Sequence, residues 1–304
     1  MKVLFMGTPD FAVPSLKGLV DAGYEVVAVF TQPDRPKNRG MKLQAPPVKE
    51  FAMEHCIPVF QPEKLKDGTA LEIIRKLKPT LIVVAAYGRI LPKDILEYPE
   101  LGCINVHSSL LPKYRGAAPI HWAILNGESE SGVTIMHMAE ELDAGDIISQ
   151  AKTDIDPNET VEALQNRLAL MGAELLVQTI ADMKDGIAKR IPQDTECVSF
   201  APMLSRSLSR IDWSRPAQEL HNQVRGLVPW PGAVAEFSDV RCKVWKSKVL
   251  PEVSTKPEGT VLEAGKAGIK IACGDGSVLL IEELQAEGKR RMSAADYLRG
   301  NPLQ

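Results

Sequence analysis

KVLFMGTPD, residues 2–10, decides the fold. A mainly apolar run ends on Gly7, and Thr8-Pro9-Asp10 then offer an N-cap hydroxyl, a first-turn proline and an acid suited to the positive end of a helix dipole. The stretch predicts a buried strand handing over to a helix that ends near Gly23. EVVAVF (25–30) predicts the next strand, and LIVVAA (81–86) and CINVHS (103–108) are apolar enough to be buried on both faces. Strand and helix alternating in this way predict an α/β fold with a mainly parallel, doubly wound sheet. GVTIMHM (132–138) and DIISQAKTDI (146–155) read as later strands joined by the turn ELDAG. A helix from about Thr160 to Met183 follows, with Leu164, Leu168, Met171, Leu175 and Ile180 on one side.

The pattern changes after Gly186. AKRIPQDTECVSFAP (188–202) holds two prolines and no sustained period, which predicts a linker. A short helix (216–226) and five strand-like runs follow: AVAEF, CKVWKSKVL, GTVLEA, GIKIAC and SVLLIEEL. Short strands punctuated by glycine and proline predict a small β-barrel of the OB type.

Composition excludes several classes. No apolar run reaches the roughly 18–20 residues that cross a bilayer, and MKVLFMGTPD reads as a buried strand instead of a signal peptide. Five cysteines, far apart and without a CxxC, support neither a zinc site nor a disulfide framework, so a reducing cytoplasm is expected. The net charge of −3 is uneven: residues 203–304 hold 15 Lys and Arg against 12 Asp and Glu, so the acidity lies in the first two thirds. A basic C-terminal third on an acidic chain is compatible with an anionic partner.

The strand-glycine-helix opening invites a dinucleotide reading, but that fingerprint needs three glycines for the backbone to approach a pyrophosphate. Only Gly7 is present, with Pro9 and Phe11 where the loop must stay open, and no P-loop pattern occurs. Gly7 reads as a turn residue.

The unusual segment is GCINVHSSLLP, 102–112. Asn105 and His107 are two apart on a strand, so their side chains leave one face while Val106 takes the other. In an open α/β sheet ligands bind at the carboxyl ends of strands. An amide and an imidazole aimed at such an edge either satisfy local backbone groups or stabilise a developing negative oxygen. Asp143, in the turn ELDAGD, is either an ordinary turn aspartate or the carboxylate that holds the imidazole and favours its charged form. His55, His121, His137 and His221 have no metal-ligand spacing and read as structural, and no metal is expected.

These residues carry a resemblance. MGTPDFAVPSL, FTQPDRPKNRG, AAYGRILP, NVHSSLLPKYRGAAP, GVTIMHM and LDAGDI resemble, in order, the motif series of the methionyl-tRNA formyltransferases from residue 3 to about 200. IDWS, VPWPGA, CKVWK and KRRMSAADYL extend it almost to the end. NVHxSLLP with LDxGD alone marks the wider folate-dependent formyltransferase group, which includes glycinamide ribonucleotide and sugar-nucleotide formyltransferases. Ser108 and Ala144 depart from the pattern, where glycine and threonine are frequent.

The resemblance implies a Rossmann-like, folate-binding catalytic domain over 1–187, a linker over 188–205 and an OB-like tRNA-binding domain over 206–304. It implies formyl transfer from 10-formyltetrahydrofolate to the amino group of methionyl-initiator tRNA, for translation initiation, by a cytoplasmic monomer. Asn105, His107 and Asp143 fall on the catalytic positions. The folate is expected at Ser109, Leu110, Leu111 and Pro112, with its pterin enclosed by Tyr87, Gly88, Ile90 and Leu91 and by the backbone from Glu140 to Asp143. The 31–49 loop, with Arg35, Lys37, Arg39, Lys42 and Lys49 against Asp34, would otherwise read as a solvated surface loop. The resemblance makes it the segment that enters the acceptor stem, with Arg35, Lys37, Arg39 and Lys42 as contacts. Arg206, Lys243, Lys246 and Lys248 form a second expected phosphate-contacting surface. The rivals are a sugar-nucleotide formyltransferase, a deformylating hydrolase of the same group and a non-catalytic RNA-binding protein.

Overall fold

The structure, a computed structural model, describes residues 1–37 and 42–303. Two compact units emerge: Met1–Gly116 with Gly132–Thr153 and Gln165–Phe200, and Ala117–Ser131 with Asp154–Leu164 and Ala201–Gln304.

The first unit alternates strand and helix. β1 (Lys2–Gly7), α1 (Val13–Asp21) and β2 (Glu25–Phe30) lead to a hairpin of β3 (Arg35–Lys37) and β4 (Lys42–Gln44). Then come α2 (Pro47–Glu54), β5 (Val59–Phe60), α3 (Thr69–Leu77), β6 (Leu81–Ala85), α4 (Lys93–Leu96), β7 (Cys103–His107) and the short β8 (Arg115–Gly116). Beyond α5 (Pro119–Leu125), which belongs to the other unit, run β9 (Glu130–His137), β10 (Ile147–Asp154) and the long α6 (Val161–Lys184). The sheet has the order β10-β9-β7-β6-β1-β2-β5. β1 pairs in parallel with β2 and β6, and β6 with β7, whereas β9 runs antiparallel to β7.

Both faces of this sheet are covered, which is why LIVVA in β6 is buried throughout. Leu4, Met6, Phe30, Ile82, Val84 and Cys103 meet Leu71 and Ile74 of α3 and Ile95 of α4. On the opposite face, Val106 packs so closely on Gly172 of α6 that a Cβ there would lie 2.9 Å from its Cγ1. Each large apolar side chain withdrawn from water in this way contributes about 1.5–3 kcal/mol.

Four local readings change. Thr8 does not cap the first helix: its hydroxyl donates to the Tyr87 carbonyl and accepts from Gln32 N–H, each at 3.3 Å. Gly7 ends β1 in a crowded site, where a Cβ would lie 2.7 Å from the Phe5 ring and 2.8 Å from Ala12 Cβ. In α6, Leu168, Gly172, Leu176 and Ile180 form the buried seam, while Met171 and Leu175 are only half-buried. The basic 31–49 segment carries a β-hairpin instead of being an irregular loop throughout. A pair of short strands there satisfies backbone groups that a loop would leave to water.

The second unit is an antiparallel sheet with helices. After the short β11 (Phe200–Ala201) come α7 (Ala217–Leu227), β12 (Ala233–Phe237), β13 (Val240–Val253), β14 (Val261–Gly265), β15 (Gly268–Ala272), β16 (Ser277–Ala286), β17 (Met292–Ser293) and α8 (Ala294–Gly300). The strand order is β12-β13-β16-β15-β14, with β17 on β16 and register shifts along β13. α7 is buried on nearly every side, and Gly226 lets it lie against Ile124 and Leu125 of α5. Arg225 and His221 find partners at that depth, whereas the buried Gln223 Oε1 has none among the described residues. Arg225 donates to the carbonyls of Asp156 and Glu159, and His221 lies 3.0 Å from Ser247 Oγ and 3.1 Å from the Pro157 carbonyl oxygen.

Candidate active site

β7 carries Asn105 and His107 out of the sheet. In the register Cys103 stands beside Ile82 and Asn105 beside Val84, so these side chains leave on the α3/α4 face, opposite Val106. Across the antiparallel pair Asn105 faces Met136 and His107 faces Thr134.

His107 is 5% exposed, and both ring nitrogens meet acceptors. Nε2 lies 3.0 Å from the Tyr114 carbonyl oxygen, which can only accept, so Nε2 carries a proton. Nδ1 lies 3.7 Å from Asp143 Oδ2, longer than a hydrogen bond but well within ion-pair range. Asn105 is half-buried, and among the described residues its side-chain amide makes no hydrogen bond to protein.

Asp143 has φ +48°, a left-handed conformation that aspartate tolerates better than most residues. Its Oδ2 accepts the Gly116 N–H at 2.8 Å, and Gly145 just beyond it stands where a Cβ would collide with the His137 carbonyl oxygen. Gln193 donates to the carbonyls of Asp143 and Gly145, each at 2.8 Å, and accepts from Arg115 Nε at 3.1 Å and Nη2 at 2.9 Å. Arg115 is itself 5% exposed.

The turn after β7 has its own hub. Thr134 Oγ1 donates to the Ser109 carbonyl at 2.7 Å and accepts from Leu111 N–H at 3.1 Å and Gln150 Nε2 at 2.9 Å. Gln150 also donates to the Leu111 carbonyl, and the Ser109 hydroxyl to the Lys113 carbonyl. Ser108 is not in a left-handed conformation, so a serine fits where the family pattern favours glycine.

The remaining sequence-predicted positions divide. Ser109 and Leu111 are buried, whereas Leu110 and Pro112 are half-buried. Tyr87 and Leu91 belong to the core beside the sheet, and burial pushes the Tyr87 phenol up to about 12. Ile90 is exposed, as is Leu142 in the Asp143 turn, so an open apolar side chain stands on each of the two segments expected around the pterin. Gly88 has φ +77°, and Glu140 pairs with Lys93 at 3.2 Å with both side chains in solvent. Such an exposed pair is worth little in stability.

Of the expected RNA contacts, Arg35 is exposed on β3, whereas Arg39 and the side chains of Lys37 and Lys42 lie outside the described residues. Lys49 is engaged, with Nζ 2.8 Å from Asp34 Oδ2 and 2.9 Å from Gln61 Oε1; the Lys49 bond and a second from Gln61 Nε2 to Asp34 Oδ1 at 2.8 Å hold the Asp34 carboxyl below its usual range. In the second unit Lys243 lies over the Trp245 ring, 4.6 Å from its centroid, with Arg291 on the same ring at 4.8 Å. Lys246 pairs with Glu282 at 3.2 Å, while Arg206 and Lys248 are exposed.

A cavity of about 580 Å³ opens where β1, β2 and β6 end, lined by Thr8, Gln32, Arg35, Pro36, Pro46 and Gly88 among others. β7, the strand that carries Asn105, pairs with β6 but contributes no residue to the cavity lining. Sequence reasoning missed Gln193, Arg115, Thr134 and Gln150. Each acts through contacts with distant segments, and the residue type alone carries no signal of that.

The chain has a family counterpart: the formyl transferase model matches residues 1–180, and the formyl transferase C-terminal domain model matches residues 203–302. Methionyl-tRNA formyltransferase of Clostridioides difficile (strain 630) is 51% identical over 304 residues, spanning all of this chain and 98% of that protein. Methionyl-tRNA formyltransferase of Pelotomaculum thermopropionicum is 52% identical over 305 residues, covering 100% of this chain and 96% of that one. This chain belongs to the methionyl-tRNA formyltransferase family. Among solved structures, an N-formyltransferase from Helicobacter canadensis, in complex with folinic acid and dTDP-3-aminofucose, shares the fold. Its TM-score is 0.71 at 22% identity, over 94% of this chain and 99% of that one.

Proposed function

We propose that the chain transfers the formyl group of 10-formyltetrahydrofolate to the α-amino group of methionyl-initiator tRNA. The observation that carries this reading is a buried His107, held between the Tyr114 carbonyl and the Asp143 carboxylate beside an unengaged Asn105 amide. Its setting is a chain about half identical, over its whole length, to proteins named for that reaction.

The folate supplies the formyl carbon. Exposed Ile90 and Leu142 offer apolar cover for a flat ring, and Glu140 to Asp143 offer backbone groups to its polar edge. Asn105 donates its free amide to the formyl oxygen as negative charge gathers there. The ring of His107 stands with its proton on Nε2; a neutral ring would turn the Nδ1 lone pair toward Asp143, whereas the imidazolium satisfies both contacts. His107 then contributes its positive charge to the site, with its Nε2–H given to the Tyr114 carbonyl and its Nδ1 side facing the Asp143 carboxylate. Asp143 fixes that charge and orients a water that takes the proton released by the attacking amine and passes it to N10 of the folate as the bond from N10 to the formyl carbon breaks, so that tetrahydrofolate leaves as the neutral amine.

The aminoacyl end of the acceptor enters the cavity where β1, β2 and β6 end, with Arg35 offered to a backbone phosphate. Arg206 and Lys248 extend the phosphate-contacting surface. The residues of 1–187 carry the chemistry and those of 206–304 bind tRNA, in a monomer that works in the cytoplasm. Presenting methionyl-initiator tRNA and nucleotide-linked amino sugars as alternative acceptors tests the reading. Formyl transfer to the tRNA alone is expected; transfer to the sugars alone would replace it with the sugar-modifying reaction.

A further inference from the structure

The Gln193 amide uses its whole hydrogen-bonding capacity at one place. Its oxygen accepts from Arg115 Nε and Nη2, and its nitrogen donates to the carbonyls of Asp143 and Gly145, at 2.8–3.1 Å. The orientation follows from chemistry: arginine has only donors and a backbone carbonyl only accepts, so a flipped amide would face like against like at all four contacts. Arg115 is 5% exposed, and its other contact is Glu141 at 3.3 Å. Removing Gln193 would therefore leave a buried guanidinium with two unmet donors, which the surroundings must rearrange to satisfy.

The two ends of this bridge flank the ionic pair of the site. Gly116, next to Arg115, gives its N–H to Asp143 Oδ2, and Asp143 holds its left-handed φ of +48° with its carbonyl fixed by Gln193. The 115–116 strand and the 143–145 turn are thus joined twice, once through the Gln193 side chain and once through the Asp143 carboxylate. Without the first link, the carboxylate keeps one hydrogen bond but loses the restraint on its backbone.

We propose that Gln193 is a positioning residue for formyl transfer, acting through Asp143 and indirectly on the His107 charge, without touching either substrate. The proposal rests on the function proposed above. Gln193→Glu is the sharper variant: it keeps an acceptor for Arg115 but turns a carboxylate toward the two carbonyls it should bond. Gln193→Ala removes both sides.

The test measures steady-state transfer to methionyl-initiator tRNA for the wild type, both Gln193 variants, Asp143→Asn and the Gln193→Ala/Asp143→Asn double variant. Thermal unfolding checks that each folds. Both Gln193 variants are expected to lose about 10- to 10²-fold in kcat, the scale of a misplaced reacting group, with KM for folate and tRNA within about twofold. In the Asp143→Asn background Gln193→Ala should add no further loss, because its effect runs through that carboxylate. Amide exchange at Gly116 should quicken in Gln193→Ala while the β7 amides keep their protection.

Gln193 variants with wild-type kcat, or a loss that multiplies fully with that of Asp143→Asn, overturn the proposal and leave the formyl-transfer reading standing. A wild-type chain that transfers no formyl group overturns that reading and the catalytic role proposed for Gln193 together. Unchanged Gly116 exchange overturns the positioning by itself.

Discussion

Asp143 Oδ2 lies 3.7 Å from His107 Nδ1 while accepting the Gly116 N–H at 2.8 Å. The carboxylate is therefore anchored by backbone on one side and presents its charge to a ring that is itself anchored, through Nε2, to the Tyr114 carbonyl. This sharpens the role of the imidazole. With both nitrogens turned to protein acceptors, the proposed mechanism assigns the bond to the substrate oxygen to Asn105 and leaves His107 to act through its charge.

Asp143→Asn tests that division of labour. The amide oxygen can still accept from Gly116, so the turn is preserved, but the charge facing His107 is gone. Turnover at saturating folate and tRNA is expected to drop by at least about 10², within the 10²–10⁴ range of acid–base contributions, with little change in unfolding temperature. Turnover within threefold of the wild type would remove Asp143 from the mechanism.

The basic residues are not equivalent. Lys243 donates to the Pro229 carbonyl and lies over Trp245, where burial lowers its ammonium pKa, and Lys246 is paired with Glu282. Arg35, Arg206 and Lys248 stand open to solvent. Alanine at Arg35 or Lys248 should raise KM for tRNA and leave KM for folate alone. The salt dependence of tRNA binding should shallow by slightly under one unit in log–log slope for each phosphate that is no longer neutralised. Equal effects on both KM values would mean that the substitution disturbs the site itself.

Much of this arrangement is legible in the chain. Strand periodicity marks β1, β2, β6 and β7, because strands buried on both faces read as unbroken apolar runs, and the i, i+2 spacing puts Asn105 and His107 on one face. What stays hidden depends on contacts between distant segments. Gln193 bonds Asp143 from 50 residues away, in a stretch with no period. Thr8 looks like a helix cap, but Tyr87 and Gln32 claim its hydroxyl. The grouping of α5 with the C-terminal strands follows from the fit of Gly226 against Ile124 and Leu125, which neither segment reveals alone.

Gly7 supplies a stability test. A Cβ there would lie 2.7 Å from the Phe5 ring and 2.8 Å from Ala12 Cβ, both in the packed core. Gly7→Ala should cost about 1–3 kcal/mol, the usual range for overpacking, read as a lower denaturant midpoint at unchanged m. An unchanged midpoint would mean that the β1–α1 junction yields more easily than its packing implies.

Burial pushes the imidazoles of His121, His137 and His221 below their ordinary value of 6.5. As pH falls past that value the unfolded chain binds more protons than the native one, so this stability is complete above about pH 6.5 and declines below it. Urea midpoints should be lower at pH 5.5 than at pH 7.5, and His221→Gln should reduce the difference. Equal midpoints at the two pH values would contradict the assigned direction.

The central claim is tested most directly by Asn105→Ala in single-turnover formyl transfer to methionyl-initiator tRNA, with both substrates saturating. Removing the unengaged amide donor of β7 should slow transfer by about 10²–10³ while both substrates still bind. A rate close to that of the wild type would contradict the account.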